Sequence, residues 1–300
     1  MIILDGGMGR ELHRIGAPFR QPEWSALALM ESPETVRRVH EAFIAAGARV
    51  ITANSYAIVP FHIGGETFAA RGRELADLAG RLAREAADAT PGVEVAGSLP
   101  PLFGSYRPDL FRDEDADTLL APLVEGLSPY VNLWLAETLS SIAEAKAARR
   151  AIGSDARPFW LSFTLDDADP DGVAEGRVSP KLRSGETVTQ AAEAARALQA
   201  SALLFNCSDV EVMEAALTEA ARAFASGPAP LLGVYANAFE PHRHSRKPNA
   251  NAALNAMKGN LGPAEYLEFA RRWRRAGAGS VGGCCGIGPD YVAALAAEWA

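Results

Sequence analysis

SPETVRRVHEAFIAAGARVITAN, residues 32–54, contains one complete structural unit of the chain. It opens with Ser32 and Pro33, a capping side chain followed by a proline at the first helical position, which together indicate the start of a helix. One face of that helix carries Val36, His40 and Phe43. Gly47 ends the helix, and the β-branched and apolar run 49–53 that follows predicts a strand. The stretch therefore predicts a helix that leads directly into a strand.

The alternation of short apolar runs with helical segments continues along the whole chain. The candidate strands are 2–4, 49–53, 93–97, 131–136, 159–163, 202–205, 231–235 and 279–282. Eight βα units in 300 residues are typical of a TIM barrel, whereas a doubly wound sheet has fewer strands and a glycine-rich phosphate turn after the first. We therefore predict one α/β domain over residues 1–300, folded as a (β/α)8 TIM barrel.

Two further helices show start or stop patterns of their own. Ser208 and Glu211, just after the sixth candidate strand, have the spacing of a capping box. Pro263 predicts the start of another helix, which is expected to end at Gly277.

Composition and charge exclude several classes of function. The formal net charge is -8 and the pI is about 5.3, and lysine and arginine are scattered, so we expect no nucleic-acid partner. The amino terminus has no basic segment before an apolar run, and no apolar stretch is long enough to span a bilayer. We therefore expect a cytoplasmic protein without a membrane partner. The three cysteines make a poor disulfide framework for a large domain, so we expect free thiols or metal ligands.

Polar residues at the carboxyl ends of the predicted strands mark the candidate site, because in a TIM barrel these ends converge on one mouth. In strand order the residues are Asp5, Asn54, Ser98, Glu137, Thr164, Asn206 with Cys207, Asn237, and Cys284 with Cys285. All three cysteines are in this set, and strands six and eight lie near each other around a barrel. Cys207 is therefore expected close to the other two cysteines, despite a separation of 77 residues from Cys284.

The motif GGCCG at residues 282–286 allows two adjacent thiols to face one point. Neighbouring side chains in a strand point in opposite directions, but glycines let the backbone leave strand geometry. Three thiolates with one open position are typical of a catalytic zinc site, since a structural site has four protein ligands. These residues alone leave two alternatives, in which the cysteines are buried for packing or Cys284 and Cys285 form a redox couple.

Asp5 and Glu137 each have a structural and a functional interpretation. Asp5 directly follows the first strand and can cap a turn, and Glu137 can stabilise the amino terminus of a helix. Beside three thiols at one mouth, the two acids instead indicate a binding site for a substrate ammonium group, with backbone N–H groups to hold a carboxylate. Trp24 either lines this pocket or packs against the barrel.

Residues 236–262 are the least regular region and predict a long βα loop. The basic residues of this loop are His242, Arg243, His244, Arg246 and Lys247. They form either a solvated surface or a lid over the mouth. The remaining histidines show no Ser-His-Asp arrangement, and His40 is expected in the core.

Several motifs together resemble one enzyme family. They are LDGGMGREL at 4–12, the stretch 22–56 that begins PEWSALAL, ETLSSIAEAKAA at 137–148, FNCS at 205–208 and GGCCGIGPDYV at 282–292. In order and spacing they are similar to the homocysteine S-methyltransferases, over essentially the whole chain. The combination of Asn-Cys with Gly-Gly-Cys-Cys-Gly is the most specific part of the resemblance.

The resemblance implies a zinc-dependent (β/α)8 barrel that methylates the sulfur of homocysteine to give methionine. The implied zinc ligands are Cys207, Cys284 and Cys285. The implied substrate-binding residues are Asp5, Gly6, Glu137 and Asn206. The implied partners are small molecules, namely homocysteine and a methyl donor, with Zn2+ as the cofactor.

The methyl donor that the resemblance implies is a sulfonium compound. The Trp-Ser-Ala element at 24–26 resembles the branch that uses S-methylmethionine or S-adenosylmethionine rather than betaine. The prolines at 100 and 101 depart from that branch, so betaine or another donor, and a related thiol or selenol acceptor, remain alternatives. Two hypotheses of other classes are a metal-free redox or lyase barrel built on the vicinal cysteines, and a non-catalytic amino-acid or zinc sensor.

Overall fold

Eight parallel strands form one sheet that curls into a nearly closed barrel. The computed structural model describes residues 1–225, 227–240 and 256–299. The strands are β1 (Ile2–Ile3), β2 (Val50–Thr52), β3 (Glu94–Leu99), β4 (Leu133–Leu139), β5 (Phe159–Phe163), β6 (Ala202–Asn206), β7 (Leu231–Tyr235) and β8 (Ser280–Val281). The sheet order runs β1-β8-β7-β6-β5-β4-β3-β2, and a bridge between Leu4 and Val50 joins its two ends. The predicted (β/α)8 TIM barrel is confirmed.

Helices alternate with the strands and cover the outside of the barrel. They are α1 (Met8–Arg14), α2 (Ser25–Glu31), α3 (Pro33–Ala45), α4 (Pro60–Ile63), α5 (Gly65–Asp88), α6 (Asp113–Leu127), α7 (Ile142–Ile152), α8 (Pro170–Ala174), α9 (Val188–Ala197), α10 (Met213–Ala223), α11 (Pro263–Arg275) and α12 (Pro289–Trp299). Two short 3-10 helices, Pro108–Leu110 and Val210–Val212, lie in the connections after β3 and β6.

The stretch 32–54 folds as its sequence predicts. The helix α3 begins at Pro33, and the strand β2 follows it. The residues predicted on its apolar face, Val36, His40 and Phe43, are all buried. Gly47 lies just after the helix and has a φ of 107°, a conformation that glycine adopts without a Cβ clash.

The barrel interior has an apolar layer and, nearer the mouth, a polar layer, because inward positions recur at every second residue of a strand. The apolar layer consists of Leu4, Val50, Ala96, Leu133, Leu135, Trp160, Ala202, Leu204 and Tyr235. Two residues beyond members of this layer come the buried polar residues Ser98, Glu137, Ser162 and Asn206. The alternation thus brings a set of polar side chains to the end of the barrel where ligands bind in this fold.

Strands β3 and β4 extend further toward the mouth than their sequences indicate. We predicted strands over 93–97 and 131–136, but the strands end at Leu99 and Leu139. The register between β4 and β5 shifts just before Leu139, which marks a β-bulge. The bulge allows β4 to continue, so Glu137 belongs to the strand and not to the turn after it.

The capping box predicted at Ser208 and Glu211 is wrong. The Ser208 hydroxyl instead accepts a hydrogen bond from the N–H of Leu165 at 2.8 Å. Asp209 takes the capping role, because its carboxylate accepts the N–H of Glu211 at 3.1 Å. The helix predicted from Pro263 is confirmed as α11.

Part of the predicted loop 236–262 lies outside the described residues. The basic residues at 242–247 belong to that part, so their interpretation as a lid or a solvated surface stays a prediction. The two described ends of the loop pair with each other. The N–H of Glu240 donates to the carbonyl of Ala256 at 3.0 Å, and the N–H of Lys258 donates to the carbonyl of Ala238 at 2.9 Å. Across the described ranges, no helix is both long enough and apolar enough to cross a membrane.

Candidate active site

The three cysteines lie together at the carboxyl ends of β6 and β8. Cys207 directly follows β6 with a φ of 49°, and its N–H donates to the carbonyl of Tyr235 at 3.2 Å. The N–H of Cys284 donates to the carbonyl of Ala236 at 2.9 Å. The sulfur atoms of these two residues and of Cys285 all lie within 4.8 Å of one another. Residues far apart in sequence are thus brought to one point by the barrel.

Glycines let the first strand pass close to the cysteine turn. At Gly7, a Cβ atom would lie 2.5 Å from the carbonyl oxygen of Cys284 and 3.0 Å from the Cα of Cys285. At Gly282, a Cβ atom would lie 2.9 Å from the carbonyl oxygen of Asp5. These approaches are too close for any side chain, so the turn that aims the thiols requires glycine at both positions.

Cys207 and Cys284 are joined by a disulfide bond, and Cys285 is free. We expected free thiols or metal ligands, and the bond shows that Cys207 and Cys284 are not free thiols, whereas their role as metal ligands stays a prediction. The barrel places the Cα atoms of Cys207 and Cys284 5.6 Å apart, a separation that a disulfide spans. The bonded pair also differs from the vicinal couple, Cys284 with Cys285, considered as an alternative.

Once reduced, the cysteine cluster fits a zinc ion. Zinc–sulfur distances of about 2.3 Å in a tetrahedron set the sulfur atoms about 3.8 Å apart, and the three sulfurs already lie within 4.8 Å of one another. Thiolates are soft ligands that favour zinc over magnesium or calcium. Burial raises the pKa of the Cys285 thiol to about 11, so a thiolate at neutral pH requires a neighbouring cation. Three protein ligands leave one tetrahedral position for a substrate.

Asp5 lines the same cavity from the end of β1 and is 7% exposed. One carboxylate oxygen accepts the N–H of Thr52 at 2.7 Å, and the other accepts the Thr52 hydroxyl at 3.3 Å. Burial raises the pKa of Asp5 to about 8, and the nearby carboxylate of Glu137 contributes to the rise, whereas the Thr52 hydrogen bonds oppose it. An ammonium group placed directly beside this carboxyl group would oppose the rise, because it favours the ionised form.

Glu137 is held from two sides within the polar layer. Its oxygens accept the Ser98 hydroxyl at 2.5 Å and the Tyr235 hydroxyl at 3.2 Å. Burial raises the pKa of Glu137. The alternative role at a helix amino terminus belongs to other residues, because Ser141 and Glu144 form the capping box of α7. Glu137 is therefore free to face the cavity.

Asn206 supports the bulge in β4. Its side-chain oxygen accepts the N–H of Thr138 at 3.1 Å and the Ser162 hydroxyl at 2.8 Å, and its NH2 group donates to the Thr138 hydroxyl at 2.9 Å. Thr138 has a φ of 60°, a conformation that requires such support. Asn206 does not line the cavity, so its geometry suits a role in presenting Glu137, the residue before Thr138.

The strand-end residues divide into two groups. Those that line the cavity are Asp5, Asn54, Glu137, Cys207, Cys284 and Cys285, together with Gly6. The others, Ser98, Thr164, Asn206 and Asn237, hydrogen-bond within the protein. Position at a strand end therefore locates the mouth, but it does not separate the residues that face a ligand from those that support them.

Aromatic side chains form much of the cavity wall, and most of them were not recognised from the sequence. They are Trp24, Tyr56, Tyr106, Tyr235 and Phe239. For Trp24, the structure favours the pocket over simple packing against the barrel. Tyr235 could have been identified, because it ends the seventh predicted strand, whereas the others lie in connections that no periodic pattern marks.

Backbone strain concentrates around this cavity. Among the described residues, five that are not glycine have a positive φ, and four of them line the cavity. These four are Trp24, Tyr106, Thr138 and Cys207. Such a conformation costs about 1–3 kcal/mol, persists only where the surroundings enforce it, and is most common at functional sites. The strain therefore marks this cavity as functional by an argument that does not depend on thiol chemistry.

Known proteins are similar to this chain in sequence and in fold. A family model described as homocysteine S-methyltransferase matches residues 2–299. Homocysteine S-methyltransferase YbgG from Bacillus subtilis (strain 168) is 28% identical, with 100% of this chain and 94% of that protein covered. Crystal structures of the homocysteine methyltransferase MmuM from Escherichia coli, in metallated and oxidized forms, each have a TM-score of 0.78 at 27% identity, covering 99% of this chain and 96% of theirs. The chain therefore belongs to the homocysteine S-methyltransferase family, as its motifs predict.

Proposed function

We propose that this homocysteine methyltransferase uses a sulfonium methyl donor and depends on zinc held by Cys207, Cys284 and Cys285. The observation that carries the proposal is the meeting, in one cavity, of three thiols within 4.8 Å of one another with two buried carboxyl groups. The thiols suit a soft metal ion, and the carboxyl groups suit an ammonium group. Homocysteine carries a thiol and an ammonium group at its two ends.

In this proposal Asp5 and Glu137 bind the ammonium group of homocysteine. Burial raises the pKa of both carboxyl groups, and a cation placed beside them favours their ionised forms. Gly6 contributes its backbone to the cavity. A side chain is not possible at this position, because a Cβ atom would lie 2.7 Å from the Phe43 ring. The amino-acid end of the acceptor is thus bound on the β1 side of the mouth.

Positioning of the acceptor depends on residues behind those that touch it. Bound zinc supplies the Lewis acidity that keeps the acceptor sulfur ionised near neutral pH. Asn206 fixes Thr138 and so the bulge that presents Glu137, and the Ser98 and Tyr235 hydroxyls fix the two oxygens of that carboxylate. With both ends held, the acceptor sulfur faces the donor in one orientation, which is the main source of rate in such a reaction.

The methyl transfer itself requires no proton exchange at the reacting atoms. The acceptor thiolate attacks the methyl carbon in line with the carbon–sulfur bond of the donor, and the electron pair of that bond stays on the donor sulfur. The sulfonium becomes a neutral thioether, and homocysteine becomes methionine. S-methylmethionine and S-adenosylmethionine both satisfy this balance.

We further propose that residues 1–300 act as one domain in a reducing compartment such as the cytoplasm. The strands β1 and β8 come from opposite ends of the described chain and pair with each other, so the barrel is not divisible along the sequence. Three thiolate ligands are available only where thiols stay reduced, because the Cys207–Cys284 bond removes two of them.

A panel of methyl donors tests the proposal. Reduced, zinc-loaded protein is incubated with homocysteine and, in turn, with S-methylmethionine, S-adenosylmethionine and betaine, and methionine is measured. We expect about one zinc per chain and product from a sulfonium donor, with both lost in Cys284→Ala. Full activity of a stringently metal-free sample would refute the zinc dependence, and product from betaine alone would refute the donor class. Selenol and other thiol acceptors are tested in parallel with homocysteine.

The Cys207–Cys284 bond favours one other candidate, a thiol–disulfide barrel that works without metal. That candidate predicts reversible formation of the bond during turnover and no zinc in the reduced protein. Zinc content after reduction therefore separates the two functions. A sensor, in contrast, would bind homocysteine but consume no donor in the panel.

A further inference from the structure

The aromatic wall of the cavity at Tyr106 takes no part in the binding of acceptor and metal proposed above. Tyr106 lies in the connection between β3 and α6, and it lines the cavity. Its φ is 63°, a left-handed conformation that a tyrosine adopts only where neighbouring groups hold it. A neighbouring group must therefore hold this residue in place.

Arg183 holds the Tyr106 ring and does not itself line the cavity. The guanidinium carbon of Arg183 lies 4.4 Å from the centroid of the Tyr106 ring, which is well within the range of a cation–π contact. A planar guanidinium matches the face of a ring, whereas a lysine ammonium is a compact point charge. The contact therefore helps to hold the ring in position.

Arg183 is itself firmly anchored. Its Nη1 lies 2.9 Å from Oδ1 of Asp167, and the two side chains are 14% and 6% exposed. On one side, Leu182 forms a bridge with Leu165 at the end of β5. On the other side, the N–H of Ser184 donates to a carbonyl after β4 at 3.0 Å. Arg183 is thus fixed through the backbone of the residues on either side of it and through its own guanidinium group, so it can act as a rigid support.

Asp167 neutralises Arg183, so the support brings no net positive charge to the cavity. An unpaired cation behind the ring would weaken the attraction of the ring for a second cation. The described residues that line the cavity include two acids, Asp5 and Glu137, and no lysine or arginine. A sulfonium has a positive charge but no N–H to donate, so an aromatic ring is the group that best accommodates it.

Asp167 also connects this support to the cysteine turn. Its Oδ2 accepts the N–H of Asp209 at 3.1 Å, and Asp209 lies two residues after Cys207. Asp209 is paired in turn with Lys258 at 2.7 Å. The aromatic wall and the cysteine turn thus share one anchor, which fixes the distance between them.

We propose that Arg183 is a positioning residue for the methyl donor, and that it acts by holding Tyr106 as the wall against which the donor's sulfonium centre lies. This inference rests on the proposed function and names the part of the cavity that receives the donor. Donor and acceptor must meet in one cavity for an in-line step. Since the cysteines and the two acids take the acceptor, the aromatic wall is left for the donor.

The test compares the KM of the donor with the KM of homocysteine in the reduced, zinc-loaded whole chain. The donor is whichever of S-methylmethionine and S-adenosylmethionine the wild type uses. In Arg183→Met we expect the donor KM to rise about two- to thirty-fold, the range of a lost cation–π arrangement, with the homocysteine KM unchanged. Arg183→Lys keeps the charge but not the planar stack, so it shifts the donor KM in the same direction. In a Tyr106→Leu background, Arg183→Met produces no further rise.

Arg157→Met is the matched control. Arg157 lies over the Trp134 ring at 5.0 Å and pairs with Asp155, but it precedes β5 at the opposite end of the barrel. We expect this variant to lower the thermal midpoint and to leave both KM values unchanged. If Arg183→Met does not fold, the double variant Arg183→Met with Asp167→Asn removes the unpaired buried charge and takes its place.

The outcomes test the inference about Arg183 separately from the proposed function. An unchanged donor KM in the folded Arg183 variants, or an equal rise in both KM values, would overturn the inference and leave the proposed function standing. A donor-specific rise in Arg157→Met would overturn it as well. Wild-type protein that makes no methionine with any donor would overturn the proposed function, and with it this inference.

Discussion

Replacing Asp5 with asparagine should remove the pH dependence of homocysteine binding. Burial and the neighbouring Glu137 raise the pKa of Asp5 to about 8. At pH 7 about one tenth of this carboxyl group is therefore ionised in the free protein. If Asp5 binds the substrate ammonium group as a carboxylate, kcat/KM for homocysteine rises about fivefold between pH 7 and pH 8, because the ionised fraction rises from about one tenth to about one half, which corresponds to about 1 kcal/mol.

Asp5→Asn keeps an oxygen that can accept the N–H of Thr52, a bond of 2.7 Å in the wild type, but it cannot ionise. We expect the rise between pH 6 and pH 8 to disappear. At pH 8 we expect kcat/KM to fall about 30-fold or more, since loss of one partner of a buried charge pair costs about 2–5 kcal/mol.

Stability should change in the opposite direction from activity. The folded-state pKa of Asp5, about 8, lies above its ordinary value of 3.8, so its contribution to stability is present below pH 3.8 and is lost as the pH rises through 8. Asp5→Asn removes this loss, and its thermal midpoint near pH 8 should exceed that of the wild type. A variant that is more stable but less active would show that the buried carboxylate is kept for its role in binding.

The assay is kcat/KM for homocysteine at saturating donor, measured between about pH 6 and pH 8. Glu144→Gln is the control, because burial raises the pKa of that carboxyl group to about 7 in the capping box of α7. It should keep the pH dependence of kcat/KM that the wild type shows. An Asp5→Asn profile that still rises with pH, or a Glu144→Gln profile that is flat, would refute the assignment of the ammonium site.

Three other predictions concern the core and the metal ligands. Burial lowers the pKa of His40 to about 4, and among the described residues neither of its ring nitrogens has a hydrogen-bond partner. The free energy of unfolding should therefore fall by about 3 kcal/mol from pH 7 to pH 4, because the histidine of the unfolded chain takes up a proton near pH 6.5. His40→Leu should remove that component in urea titrations, and parallel pH curves for the two proteins would contradict the account. Cys285→Ser should reduce bound zinc from about one per chain to a small fraction by elemental analysis, with an unchanged circular dichroism spectrum. Gly7→Ala forces a Cβ against the cysteine turn and should lower zinc affinity in a chelator competition. Gly65→Ala should not, because a Cβ there meets no atom of the described residues within 4 Å.

The periodic part of the sequence was enough to predict the barrel and the position of its mouth. The sixth strand was predicted over 202–205 and observed as Ala202–Asn206, and the seventh was predicted without error. Buried strands of a parallel barrel are short apolar runs that end in polar residues. Asp5 and Glu137 were predicted at the mouth for that reason, and both line the cavity.

Contacts between separate connections could not be predicted in the same way. Tyr106 lies in a connection without periodicity, and its partner Arg183 comes from another connection 77 residues later in the chain. Asn206 was predicted to bind substrate from the family resemblance. Its contact with Thr138 could not be predicted, because no residue pattern marks the bulge in β4. The Cys207–Cys284 bond likewise depends on the distance between two strand ends, which only the closed barrel determines.

The order in which the cysteines are synthesised bears on how the enzyme matures. Cys284 and Cys285 follow β8, so a ribosome delivers them only after the seven other strands, and β8 must then insert between β1 and β7. Until that insertion, Cys207 is a solitary thiol that offers an ion one ligand. At the proposed zinc site, three ligands exist only once β8 is in place, so zinc would bind late, after the barrel is complete.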